Sequence, residues 1–130
     1  LVPQYGSFAQ MAGYFTAARL LVLPYENGWN SGVLASAFGF GKPVIATRVG
    51  GFDEVVSDES TGLLVPPKDP AVLAQAIVRL LRDDVLYARM VVNVRQAAAE
   101  ISWEAIARIT AARYADVVGI GADCAVSQAR

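Results

Sequence analysis

The chain has 130 residues, of which 55% are hydrophobic and 18% charged, so it can bury a core and is too apolar to be an intrinsically disordered segment. Eleven Lys and Arg stand against 12 Asp and Glu, a net charge of -1, which provides no field to recruit nucleic acid or an anionic membrane. Histidine is absent and Cys124 is the only cysteine, which excludes imidazole catalysis, an internal disulfide and a cysteine metal cluster within this chain.

The chain starts at Leu1 without a basic stretch and apolar core of the signal-peptide kind, and the missing Met leads us to expect a fragment. Ser7 and Gln10 have the spacing of a capping box, and Phe8, Met11, Ala12 and Phe15 follow at helical spacing, predicting a helix from Ser7 to Ala18. Leu20 to Leu23 is a short apolar run closed by Pro24, the pattern of a strand covered on both faces. Tyr25 to Asn30 reads as a loop. Ser31 can cap the segment from Gly32 to Phe40, with Val33, Ala37 and Phe40 along one helical face and Gly41 ending it.

Pro43 to Ala46 predicts a second buried strand, followed by a turn at Gly50 and Gly51 and a short helix through Glu54 and Val56. A third strand covers Gly62 to Val65 and stops at Pro66 and Pro67. Asp69 and Pro70 start a helix to about Arg82, with Leu73, Ile77, Leu80 and Leu81 as its buried stripe. Val85 to Ala99 continues as helix with Leu86, Met90 and Val94 inward. Ser102 opens a final helix, in which Trp103 and Tyr114 are expected to anchor the core. From Gly119 onward a disordered tail is expected, leaving residues 1–118 as one partial domain.

Strands alternating with helices argue for an α/β protein with a doubly wound, parallel, Rossmann-like sheet, of which three strands are visible. Apolar stretches are interrupted too early for a transmembrane span. In open parallel sheets ligands bind beyond the carboxyl ends of the strands, which directs attention to the loops after Pro24 and Thr47. Ser31 and Gly32 at a helix start present main-chain N–H groups and the positive end of a helix dipole, a natural anion site. Ser31 as an ordinary cap and Gly32 as a packing glycine is the alternative. A Walker loop ending at Lys42 is excluded by Ser36 and Pro43, and a dinucleotide fingerprint fails in spacing, so Lys42 reads as a helix-end charge.

The residues Pro24-Tyr25, Ser31-Gly32-Val33-Leu34, Gly41-Lys42-Pro43-Val44-Ile45-Ala46-Thr47, Val49-Gly50-Gly51, Glu54-Val55-Val56 and Thr61 to Pro67 carry a resemblance. In order and spacing they resemble the C-terminal, donor-binding domain of family 4 retaining glycosyltransferases, of GT-B architecture, and the likeness runs to Tyr114. The likeness makes residues 1–118 a partial nucleotide-sugar-binding domain and implies a last helix that crosses toward the other lobe, with some of its apolar surface exposed here. It implies an enzyme transferring a sugar from a nucleoside-diphosphate sugar to an acceptor hydroxyl with retention, without a cofactor or metal. The resemblance further implies that the acceptor, a glycan, lipid or small molecule, is bound by an N-terminal lobe absent here, so that this segment alone is inactive.

A cytoplasmic location is implied, with peripheral membrane association of the full-length protein left open. Ser31, Gly32 and Val33 would hold the donor diphosphate. Ser36, Glu26, Asn27 and Asn30 would reach the ribose or sugar, although Ser36 also reads as a small residue on a packed helix and Glu26 as a solvated acid. Gly50, Gly51 and Glu54 are secondary candidates, with Glu54 read first as a helix-start charge. The family's two donor-site glutamates would fall at Gly28 and Ser36, so both are replaced. That loss keeps open a non-catalytic nucleotide-sugar-binding or assembly module, beside other GT-B enzymes such as a sugar-nucleotide epimerase or glycogen phosphorylase.

Overall fold

The computed structural model describes residues 7–27 and 32–118, so the expectations for Gly28, Asn30, Ser31 and the tail from Gly119 lie outside the described residues. Residues Leu1–Ala98 form one compact unit and Ala99–Arg130 a second.

The first unit runs α1 (Phe8–Ala17), β1 (Leu21–Leu23), α2 (Gly32–Gly39), β2 (Val44–Thr47), α3 (Phe52–Val55), β3 (Gly62–Val65), α4 (Pro70–Arg82) and all but the last two residues of α5 (Asp84–Glu100). The strands are parallel in the order β1-β2-β3, with Leu23 opposite Ala46 and Thr47 opposite Val65. Every residue of β2 is buried. Because side chains alternate across a strand, Val44 and Ala46 enter one core with Phe15, Leu34, Phe38 and Phe52, whereas Ile45 enters the other with Leu63, Leu80 and Met90. Helices thus cover both faces, which is why these strands read as continuous apolar runs. α5 serves both cores, through Val94 on one side and Leu86 and Met90 on the other.

The helix ends follow their local chemistry. Ser7 and Gln10 form the reciprocal capping box of α1. Asp69 accepts the Val72 N–H at 3.0 Å, with Pro70 opening α4. Removing that cap by Asp69→Ala should cost about 1 kcal/mol, read as a lower urea midpoint with an unchanged slope. Asp83 closes α4 with its own N–H on Arg79 O at 2.9 Å, and its carboxylate accepts the Leu86 N–H at 2.8 Å in the first turn of α5. Gly41 adopts φ +65, and the Gly41 and Lys42 amides bond back to Phe38 O and Ala37 O, ending α2.

Two expected faces and one expected helix-end contact need correction. In α2 the buried side chains are Leu34, Ala37 and Phe38, while Val33 and Phe40 are each 40% exposed, because the helix is turned so that its 34/37/38 face meets the sheet. Phe40 stacks on Phe15 with ring centroids 5.2 Å apart. In α4 Leu81 is exposed and Ala76 takes its place beside Leu80, since a small residue lets the helix lie close to β3. The Lys42 ammonium serves the end of α1 rather than that of α2, donating to Thr16 O at 3.0 Å.

The outer side of β3 is closed by the preceding turn. The Leu64 N–H donates to the Asp58 carboxylate at 2.9 Å, and Glu59 N–H donates to Gly62 O at 2.8 Å. Asp58 is itself paired with Arg48 at 2.6 Å, and Glu59 with Arg79 at 2.6 Å. On the opposite flank Arg19 forms an ion pair with Asp84 and lies 4.3 Å from the Tyr87 ring centroid.

Within the second unit α6 spans Trp103–Val118, and Ser102 Oγ accepts the Ala105 N–H at 3.1 Å as its cap. Trp103 and Tyr114 do not anchor a core: they are 83% and 69% exposed, and Ile106, Ile109 and Val117 are exposed as well. Helical spacing identifies an apolar stripe but does not determine what covers it. No helix among the described residues is long and apolar enough to cross a membrane.

Candidate donor site

The three parallel strands deliver Pro24, Thr47 and Pro66 to the same end of the sheet. Beyond them lies an open cavity of about 540 Å³, with Glu26 and Lys68 on its rim, Thr47 within it and Leu73 of α4 in its wall. Its size falls in the range of about 300–1,000 Å³ typical of small-molecule sites. Glu26 reaches across to Lys68 at 3.8 Å. Both side chains are well exposed, so the pair is weak and a ligand can displace it. Lys68 has φ +60, a left-handed conformation that the two preceding prolines do not reveal.

Of the described candidate residues, Glu26 lines the cavity; Gly32, Val33, Ser36, Gly50, Gly51 and Glu54 are not in its lining. Asn27 is exposed beside Glu26. Gly32 is the first residue of α2 and is exposed, and a Cβ built there would meet nothing within 4 Å. Among the described residues nothing packs on this position. Val33 follows on the same turn, at the exposed end of the helix. Ser36 is half-buried and its hydroxyl donates to Gly32 O at 2.8 Å, so its proton is committed within the helix while its lone pairs are available to accept.

Gly50 and Gly51 have φ +60 and +78, a conformation that strongly favours glycine, and this pair turns the chain into α3. The turn sends Phe52 fully into the core and leaves Asp53 and Glu54 exposed in the first turn of α3, where their charge complements the helix start. Among the described residues no cluster of three His, Cys, Asp or Glu is placed to hold a metal ion.

Sequence reasoning missed the residues that shape the loop after β1. Thr47, only 4% exposed, donates its hydroxyl to Tyr25 O at 2.6 Å, with Leu23 O at 3.4 Å. The Tyr25 ring stacks on Phe52 at 5.6 Å with 14° between planes. The available signal was a hydroxyl at the end of an otherwise apolar strand, Val44-Ile45-Ala46-Thr47.

A Rossmann-like parallel sheet with an open cavity beyond its strand ends places the chain in the doubly wound α/β class, whose members bind ligands at that end of the sheet. Comparison with known proteins makes this specific. Residues 2–83 match the family described as glycosyl transferases group 1, and the chain belongs to that family.

It is 35% identical over 99 residues to the D-inositol 3-phosphate glycosyltransferase of Corynebacterium urealyticum, an alignment covering 76% of this chain and 23% of that protein. Sucrose-phosphate synthase from Thermosynechococcus elongatus superposes with a TM-score of 0.73 at 38% identity, covering 85% of this chain and 28% of that one. HepE of Anabaena in complex with UDP-glucose superposes with a TM-score of 0.69 at 25% identity, covering 86% and 31%. The chain therefore spans about a quarter of the length of the curated relative, and its fold is that of GT-B glycosyltransferases.

Proposed function

We propose that this chain is the donor-binding part of a retaining glycosyltransferase that takes its sugar from a nucleoside diphosphate and passes it to an acceptor hydroxyl. The observation that supports the reading is the start of α2 at Gly32, where a side chain would meet nothing within 4 Å among the described residues. The UDP-glucose bound by HepE, whose fold this chain shares, supports a donor of that chemical class.

As the glycosidic bond breaks, negative charge grows on the leaving diphosphate. Fixed N–H donors of Ser31, Gly32 and Val33, with the helix dipole behind them, would stabilise that charge more than the ground state. Glu26, Asn27 and Asn30 would contact the sugar or ribose, and Ser36 would accept from a ribose hydroxyl. Gly50, Gly51 and Glu54 remain secondary: the glycines shape the turn into α3, and Glu54 adds charge at the start of that helix. No metal takes part in this segment's chemistry under the proposal. The acceptor would be bound by residues outside this chain.

Titration of the isotopically labelled protein with UDP, GDP and ADP is the test. The amide resonances of Gly32 and Val33 should shift on saturation by at least one of the three, while those of α6 residues such as Ile109 stay in place. If all three nucleotides leave the Gly32 and Val33 resonances unmoved, the proposed donor site is wrong.

A further inference from the structure

We propose that Tyr25 is a positioning residue, clamped at two points by Thr47 and Phe52, that sets the direction in which the donor-contact segment leaves β1; this rests on the donor-site reading above. Pro24 follows β1 directly; because the Leu21 N–H donates to Pro43 O, alternate residues 21, 23 and 25 face β2, and the donor that the proline lacks lies on the outer side of β1. The register places Leu23 opposite Ala46, and a continuing ladder would bring the Val49 amide to the Tyr25 carbonyl. The Val49 N–H instead turns back on Thr47 O at 2.8 Å. The Thr47 hydroxyl takes over that rung, meeting Tyr25 O at 2.6 Å.

The second point of the clamp is the ring. Gly50 and Gly51, both left-handed, swing Phe52 into the core with no solvent exposure, and its ring lies under Tyr25 in a nearly parallel stack. Main chain and side chain of Tyr25 are therefore held by two different strand-end loops. The next residue is Glu26, which stands on the cavity rim opposite Lys68. Thr47 lines the same cavity, so the clamp is part of the wall that it organises. A valine at 47 keeps the β-branched shape and loses only the hydroxyl, whereas serine keeps the hydroxyl.

Thr47→Val, Thr47→Ser and Phe52→Leu are compared in the full-length transferase by donor KM, kcat and thermal midpoint. Thr47→Val and Phe52→Leu should each raise the donor KM about three- to tenfold with kcat nearly unchanged, since one hydrogen bond or ring contact that orients bound donor is lost. Thr47→Ser should restore the unaltered KM. An unchanged donor KM in both Thr47→Val and Phe52→Leu, with or without a lower thermal midpoint, assigns the contacts to folding alone and overturns the inference. So does a Thr47→Ser variant that behaves like Thr47→Val. Should one variant fail to fold, the other decides. Unaltered protein that neither transfers sugar nor binds a nucleoside diphosphate overturns the donor-site reading as well, which separates the two failures.

Discussion

Gly62→Ala should lose about 3 kcal/mol of folding stability, at the upper end of what overpacking a core costs. A Cβ at Gly62 would lie 2.3 Å from Val44 O, 2.9 Å from Val44 Cγ2 and 3.0 Å from Val56 Cγ1. The first of these is a main-chain atom of the central strand, and it cannot retreat without parting β2 from β3. Val44 and Val56 are also fully packed, so neither side chain has room to move. In thermal unfolding the midpoint should fall by on the order of 10 °C. Gly13→Ala supplies the contrast, because its Cβ meets nothing within 4 Å on α1, and the helix gains about 0.5–1 kcal/mol in propensity. Equal midpoints for the two variants would show that β2 and β3 are not packed as described.

Gly32 behaves in the opposite way. Alanine there should leave folding stability unchanged or slightly raised, since open space surrounds the position and alanine is the better helix former. Gly32→Trp should lower kcat/KM for the nucleotide-sugar about 100-fold in the full-length protein, the scale of losing one preorganised donor to a developing charge. The bulky ring would stand where the diphosphate must approach. Steady-state kinetics beside a denaturation curve separates the two effects: a stable Gly32→Trp variant with undiminished transfer would remove the start of α2 from the donor site. The contrast is useful because the two glycines look alike in sequence, and only their surroundings tell a packing glycine from an approach glycine.

That distinction marks the boundary of what was legible beforehand. β3 and α4 were recognisable to the residue, because proline and aspartate punctuate them and because four consecutive apolar residues before Pro66 admit little else. The inward residues of α5 were also readable from their spacing of four, Leu86, Met90 and Val94. The buried face of α2 was not. In an eight-residue helix where nearly every side chain is apolar or small, periodicity does not discriminate between Val33 and Leu34.

Trp103 and Tyr114 failed for a different reason. Large aromatics at helical spacing mark a surface that favours cover, yet within this chain both stay open to solvent. The Gly50-Gly51 turn and the cap at Asp69 follow from local chemistry, whereas the contact between Thr47 and Tyr25 depends on the register of two strands that are separated in sequence by the whole of α2. No local rule reports a register of that kind.

The turn that closes β3 has a bearing on how the molecule behaves at high concentration. An unprotected margin of a sheet is a template on which a foreign strand can grow, and fibrils start from such margins. Here the outward amide of Leu64 and the outward carbonyl of Gly62 are already taken by Asp58 and Glu59, and an incoming chain would have to displace two carboxylate-bearing residues, each held by an arginine. The β3 flank of this sheet is thus a poor seed for polymerisation.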